Sequence, residues 1–176
     1  MTTITPDEMK SLETLFMSET GTPSILLMEH AAQGVAAAIS RHAPKSARVL
    51  FLCGPGNNGG DGYAAARLWC SGGGQADVWE VTSAVRGDAL TNRTLALLHG
   101  VRVLPSVDAV DVAEYAAVVD ALYGTGLNHA IEGDAAILIH RLNDNPQIPV
   151  IAVDIPSGLD GTTCLLYTSP SPRDRQ

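Results

Sequence analysis

Basic residues are scarce in this chain and nowhere clustered: 11 Lys and Arg stand against 19 Asp and Glu, a net charge of −8. Without a positive patch, nucleic acid and anionic membranes are argued against as main partners. The acid excess reads as a means to solubility. Long apolar runs are missing too, so no transmembrane helix is expected. The N-terminal stretch MTTITPDEMKSLETLF has neither a basic start nor an apolar core. It does not read as a signal peptide, and a cytoplasmic location is the expectation. Cysteine is limited to Cys53, Cys70 and Cys164, with no metal-ligand spacing and no disulfide framework. Cys53 lies in an apolar run and is expected to be a buried small hydrophobe.

What is present fits one domain with a sizeable core, since the chain has 176 residues and 45% hydrophobic content. Residues 7 to 40 read as two leading helices, packed on one face or forming a partner surface. Leu27, Ala31, Val35 and Ile39 are placed four apart on one face, Thr22 or Ser24 is the expected cap, and Pro44 ends the region. Apolar runs and helical segments then alternate. Strands are expected at 47–53, 76–81, 101–105, 115–122 and 148–155, with helices at 61–71, 86–99 and 134–143. The helix at 86–99 is expected to turn Leu90, Thr94, Leu97 and Leu98 inward. Such alternation predicts βαβ units: a three-layer αβα, Rossmann-like α/β domain with a mainly parallel sheet.

Three loops follow strands, where a doubly wound sheet binds its ligands. They are GPGNNGGDG (54–62), DALYGTGLNHA (120–130) and DIPSGLDG (154–161). In the first, Gly54, Gly56, Gly59 and Gly60 can take positive φ without a Cβ penalty, and a loop of this kind exposes backbone N–H groups that suit phosphate. Asp61 either caps the next helix or faces a ligand. Gly124 and Gly126 make the second loop a further phosphate wrap. Asp120 and Asp154, at neighbouring strand ends beside a phosphate-type loop, would repel an anionic ligand unless a cation intervened. Asn58, Asp120 and Ser157 offer oxygen ligands for a hard one. One of the two aspartates can instead bind ribose or act as a general acid or base. Ser157 has no partnered His and is not read as a nucleophile. The residues thus point to a nucleotide or phosphorylated ligand with a cation, and name no reaction.

With LLMEHAAQGVA, LCGPGNNGGDGYAAARLW, VVDALYGTGL, GDAAILIHRLN and VDIPSGLDGTT in this order, residues 7 to 163 resemble the YjeF N-terminal domain family of NAD(P)H-hydrate epimerases. The resemblance implies an isomerase of metabolite repair, interconverting the R and S epimers of hydrated NADH and NADPH (NADHX and NADPHX). It also implies a potassium ion held by Asn58, Asp120 and Ser157. Substrate contacts are implied for Asn57, Asn58, Gly59, Gly60 and Asp61, for Gly124, Thr125, Gly126, Leu127, Asn128, His129 and Ala130, and for Asp154. Asp154 is the residue expected to transfer the proton. A homodimer is implied, as is a fused or separate ADP- or ATP-dependent dehydratase that clears the S epimer.

Residues 164 to 176, CLLYTSPSPRDRQ, change character and resemble a translated sequencing adapter. The expectation is therefore an epimerase domain over 1–163, C-terminally truncated, followed by a non-native tail, with a final strand left at an open edge. Two rival readings stand beside the enzyme. One is a non-catalytic dimerisation module of the same fold that binds RNA or nucleotide. The other is a generic dinucleotide-binding oxidoreductase, in which Glu80 would hold the ribose.

Overall fold

The computed structural model describes residues 4–163, so Cys164 and the adapter-like tail lie outside the described residues. The chain runs α1 (Pro6–Thr20), α2 (Ser24–Ile39), β1 (Arg48–Cys53), α3 (Asn57–Ser71), β2 (Gln75–Glu80), α4 (Gly87–Leu98), β3 (Arg102–Val103), β4 (Ala117–Ala121), α5 (Gly133–Asn143) and β5 (Val150–Ala152). Two short 3-10 turns, Val107–Ala109 and Val112–Glu114, join β3 to β4. The strands form one sheet in the order β3-β2-β1-β4-β5, and every pairing in it is parallel.

The central strands read as unbroken apolar runs because both their faces are covered. Val49, Phe51 and Cys53 of β1 point to a core shared with α2, α3 and α4, whereas Leu50 and Leu52 point to one shared with α5 and the 3-10 turns. The helices change sides between β1 and β4, which sets the switch point there. Register brings Asp120 of β4 level with Leu52 of β1 and Ala152 of β5, so the site-bearing loops leave the sheet at one rim.

Several local expectations change. The cap of α2 is Pro23, with no side-chain bond; Ser24 is already helical and its hydroxyl donates to Asp88 of α4. The buried face of α2 is Met28, Ala32, Val35 and Ile39, so Leu27 and Ala31 lie off it, and the helix ends five residues before Pro44. In α4 the inward residues are Ala89, Asn92 and Ala96, while Leu90, Leu97 and Leu98 are exposed. Small residues face inward there because α4 packs closely along α3. Helix α1 buries none of its residues and starts with a Thr5–Glu8 capping box. Among the described residues strand β5 pairs only with β4, and Val150 on β5 is exposed.

Candidate active site

The largest correction concerns the first loop. Asn57 to Gly60 are not loop but the first turn of α3, and Asp61 sits one turn inside the helix, so it caps nothing. None of Gly54, Gly56, Gly59 and Gly60 has a positive φ. Two of these glycines serve close approach instead. A Cβ on Gly54 would overlap the Leu122 carbonyl, and one on Gly59 would overlap the Gly54 peptide. The Gly54 N–H donates to the Ala121 carbonyl at 2.9 Å. The start of α3 is thereby pressed against the Gly54 peptide, and Gly54 in turn against the main chain that follows β4.

Asn57, Asn58 and Asp61 lie in the first turns of α3, which begins just past the carboxyl end of β1. The Asn58 amide has a buried side-chain nitrogen with no partner among the described residues. Rotated by half a turn, the same amide presents an orphaned oxygen. Burial and the charges of Asp154 and Glu13 push the Asp61 carboxyl up to about 7. Glu13 belongs to α1, so this helix, which buries nothing, still reaches the site. Its Pro6 lies beside Gly161 of the third loop, near Thr125. No local pattern in the sequence marks Glu13 as part of the site.

Asp120 is buried. The Ser157 hydroxyl donates to one of its oxygens at 2.6 Å and the Ser157 N–H to the other at 2.8 Å, and the Leu122 N–H adds a third bond at 3.2 Å. Burial still raises its pKa, against those three donors. No ion pair joins it to a described Lys, Arg or His. The Ser157 oxygen also accepts the Tyr123 N–H at 3.0 Å, which ties the second and third loops together. Asp120 and Ser157 are thus in direct contact. Side by side they offer carboxylate and hydroxyl oxygens, the donor type that a hard cation takes. Among the described residues no group of three or more His, Cys, Asp or Glu is arranged for a metal.

Asp154 is exposed, and its Oδ2 accepts the Thr125 N–H at 2.9 Å. Gly124 is required here, because a Cβ would come within 2.5 Å of that oxygen. The second loop is less open to phosphate than its glycines suggest: the Thr125 N–H is given to Asp154 and the Leu127 N–H to the Gly124 carbonyl. Leu127 is buried in the core, so only its main chain faces outward, whereas Thr125, Gly126, Asn128, His129 and Ala130 are exposed. The His129 ring stands edge-on to Tyr123, 6.1 Å between centroids.

Glu80, the residue an oxidoreductase would use for ribose, is already engaged. It receives two bonds from Arg93 (2.7 and 2.8 Å) and one from the Tyr63 hydroxyl (2.8 Å). Burial raises its pKa, but those donors outweigh it and hold the carboxyl below its usual range.

A family model described as YjeF-related protein N-terminus matches residues 24–169. A bifunctional NAD(P)H-hydrate repair enzyme of Moorella thermoacetica is 37% identical over 172 residues, covering 91% of this chain and 32% of the relative. One from Thermanaerovibrio acidaminovorans is 37% identical over 149 residues, covering 81% and 29%. An NAD(P)H-hydrate epimerase of Rhodopirellula baltica is 34% identical over 165 residues, covering 91% and 67%. The chain therefore spans about a third of the bifunctional relatives and two thirds of the epimerase. The crystal structure of the yeast protein ynu0 superposes with a TM-score of 0.80 at 24% identity, over 91% of this chain and 72% of that one, and shares the fold.

Proposed function

The chain belongs to the YjeF-related protein N-terminus family, and on that premise we propose that it is an NAD(P)H-hydrate epimerase interconverting the R and S hydrates of NADH and NADPH. The names of its relatives support this. The observation that carries it is the pair Asp61 and Asp154, two carboxyl groups at one rim, of which Asp61 keeps its proton to about pH 7.

R and S hydrates differ at the carbon bearing the added hydroxyl. Inverting it requires the C–O bond to break and to re-form on the other face. The hydroxyl leaves as water with a proton from an acid, and returning water gives a proton to a base. Asp61 suits the acid and Asp154 the base, an arrangement that rests on two like groups whose environments differ. Asn57, Asn58 and the amides at the start of α3 orient the hydrate, and the residues from Gly124 to Ala130 lie where its pyrophosphate would run. Asn58, Asp120 and Ser157 would hold potassium, whose charge would offset both buried Asp120 and the pyrophosphate.

The proposal includes a homodimer, for which Met9, Leu12 and Phe16 along α1 offer an apolar face. It includes a fused or separate ADP- or ATP-dependent dehydratase, which the bifunctional names of two relatives support. It also includes the cytoplasm, where reduced nicotinamide coenzymes are used. Residues 1–163 are proposed as the epimerase domain and 164–176 as a non-native tail.

The test mixes R and S hydrates with an S-specific dehydratase, with and without potassium, for the wild type and Asp154→Asn. The wild type should drain the R epimer in a potassium-dependent way and the variant should not. Consumption of R at the spontaneous rate by the wild type would overturn the reading.

A further inference from the structure

A cavity of about 580 Å3 lies on the α5 side of the sheet rim, away from the carboxylate pair. Trp79, Leu104, Tyr123 and Ala135 form its apolar wall, and Glu132 and Asp134 stand at its lip. It opens at the carboxyl ends of β2 and β3 and adjoins the second loop through Tyr123. The Asp154 loop leaves β5, three strands across from β2. At about 4.8 Å per strand that separation is roughly 14 Å, a reach suited to an extended dinucleotide. The loop after β4, proposed for the pyrophosphate, falls between the two.

We infer that this cavity takes the adenosine half of the substrate and favours a ribose with a free 2′-hydroxyl over one with a 2′-phosphate; this rests on the dinucleotide-hydrate reading above. The wall supplies aromatic and aliphatic surface for a purine. Among the described residues no Lys, Arg or His lines the cavity, so none of them would offset a 2′-phosphate there. Glu80 reaches the lining, but its carboxylate is given to Arg93 and Tyr63. Glu132 and Asp134 are exposed at the first turn of α5 and free to accept from a ribose diol. Acids at a helix start also answer the helix dipole, and alone would indicate no ligand. The pocket they share with the apolar wall is what gives them one. Carboxylates accept from a 2′-hydroxyl and repel a 2′-phosphate.

The test measures calorimetric binding of ADP-ribose and of 2′-phospho-ADP-ribose to the full chain. ADP-ribose should bind about tenfold more tightly, two carboxylates facing a dianion across partly screened solvent. The Glu132→Gln/Asp134→Asn double variant keeps shape and should level the two affinities, and Glu132→Lys/Asp134→Lys should invert them. Equal or tighter binding of the 2′-phosphate by the wild type overturns the inference, as does a preference that survives in the neutral variant or failure to bind either probe. Epimerisation of both hydrates with equal kcat/KM would sink the inference and leave the epimerase reading intact. A tenfold preference for ADP-ribose in a chain that epimerises nothing would do the reverse.

Discussion

Asp61→Asn separates the demands of chemistry from those of folding. In the folded chain the Asp61 carboxyl is pushed from 3.8 to about 7, by burial first and then by Asp154 and Glu13. The folded state therefore keeps a proton that the unfolded chain releases above pH 4. Between those values the folded state binds more protons, so stability is lost as pH rises through that window and then levels. At about 1.4 kcal/mol per tenfold change in proton affinity, the full effect is roughly 4 kcal/mol. Asp61 is only partly buried, and solvent screening brings the expected value to about 2 kcal/mol. Asparagine has the same shape and no charge to bury. In potassium-free buffer the variant should match the wild type near pH 4 and exceed it by about 2 kcal/mol at pH 8, read from urea unfolding with an unchanged slope. The same variant should lose about 10²-fold or more in epimerase kcat, as expected for a removed general acid. A stability gap that is identical at both pH values, or a variant less stable at pH 8, would refute the electrostatic account of Asp61.

Glu13→Gln should shift the alkaline limb of the kcat/KM pH profile downward, because one of the two charges raising Asp61 is removed; an unmoved profile would show that α1 does not act on the site. Gly54→Ala should cost about 3 kcal/mol or prevent folding, measured by thermal denaturation, since the added methyl meets the Leu122 carbonyl rather than a side chain that can turn away. Arg93→Ala should cost about 3 kcal/mol by leaving the Glu80 charge in a mostly buried position with the Tyr63 hydroxyl in place of its counter-ion, whereas removing Arg93 and Glu80 together with apolar replacements should cost less; a double-mutant cycle reads the difference.

The order of strands and helices was legible because the central strands are covered on both faces. Runs such as ARVLFLC have no polar alternation to mislead, and the helices between them are separated by clear turns. The start of α3 was not legible. Asn-Asn-Gly-Gly is a poor local helix former, and its close packing on the Gly54 peptide, Met28 and Ala89 is a case of tertiary packing overriding propensity. The inward face of α4 was misread for a related reason. Leucines mark the more apolar side, yet the gap beside α3 admits only Ala89, Asn92 and Ala96. At the site, Asn58, Asp120, Ser157 and Asp154 could be named from strand ends and glycine turns. Of these, Ser157 and Asp120 meet as hydrogen-bond partners. Glu13 could not be named, because its link to Asp61 spans two helices and leaves no trace in spacing. The cap reading of Asp61 fell with the helix start: the residue sits inside α3, within the field of two other acids.

Peptide groups, rather than side chains, join Gly59 of α3 to Gly54, and Gly54 to Leu122 just past β4. A joint of that kind has no rotamers to adjust and no room for one more carbon. Redesign of substrate choice is accordingly confined to the upper storey, to α1, the exposed second loop and the lip of α5, where replacements meet water. Beneath it the position of the acid is dictated by the path of the main chain, and directed evolution of this scaffold should return almost no tolerated changes at Gly54 and Gly59.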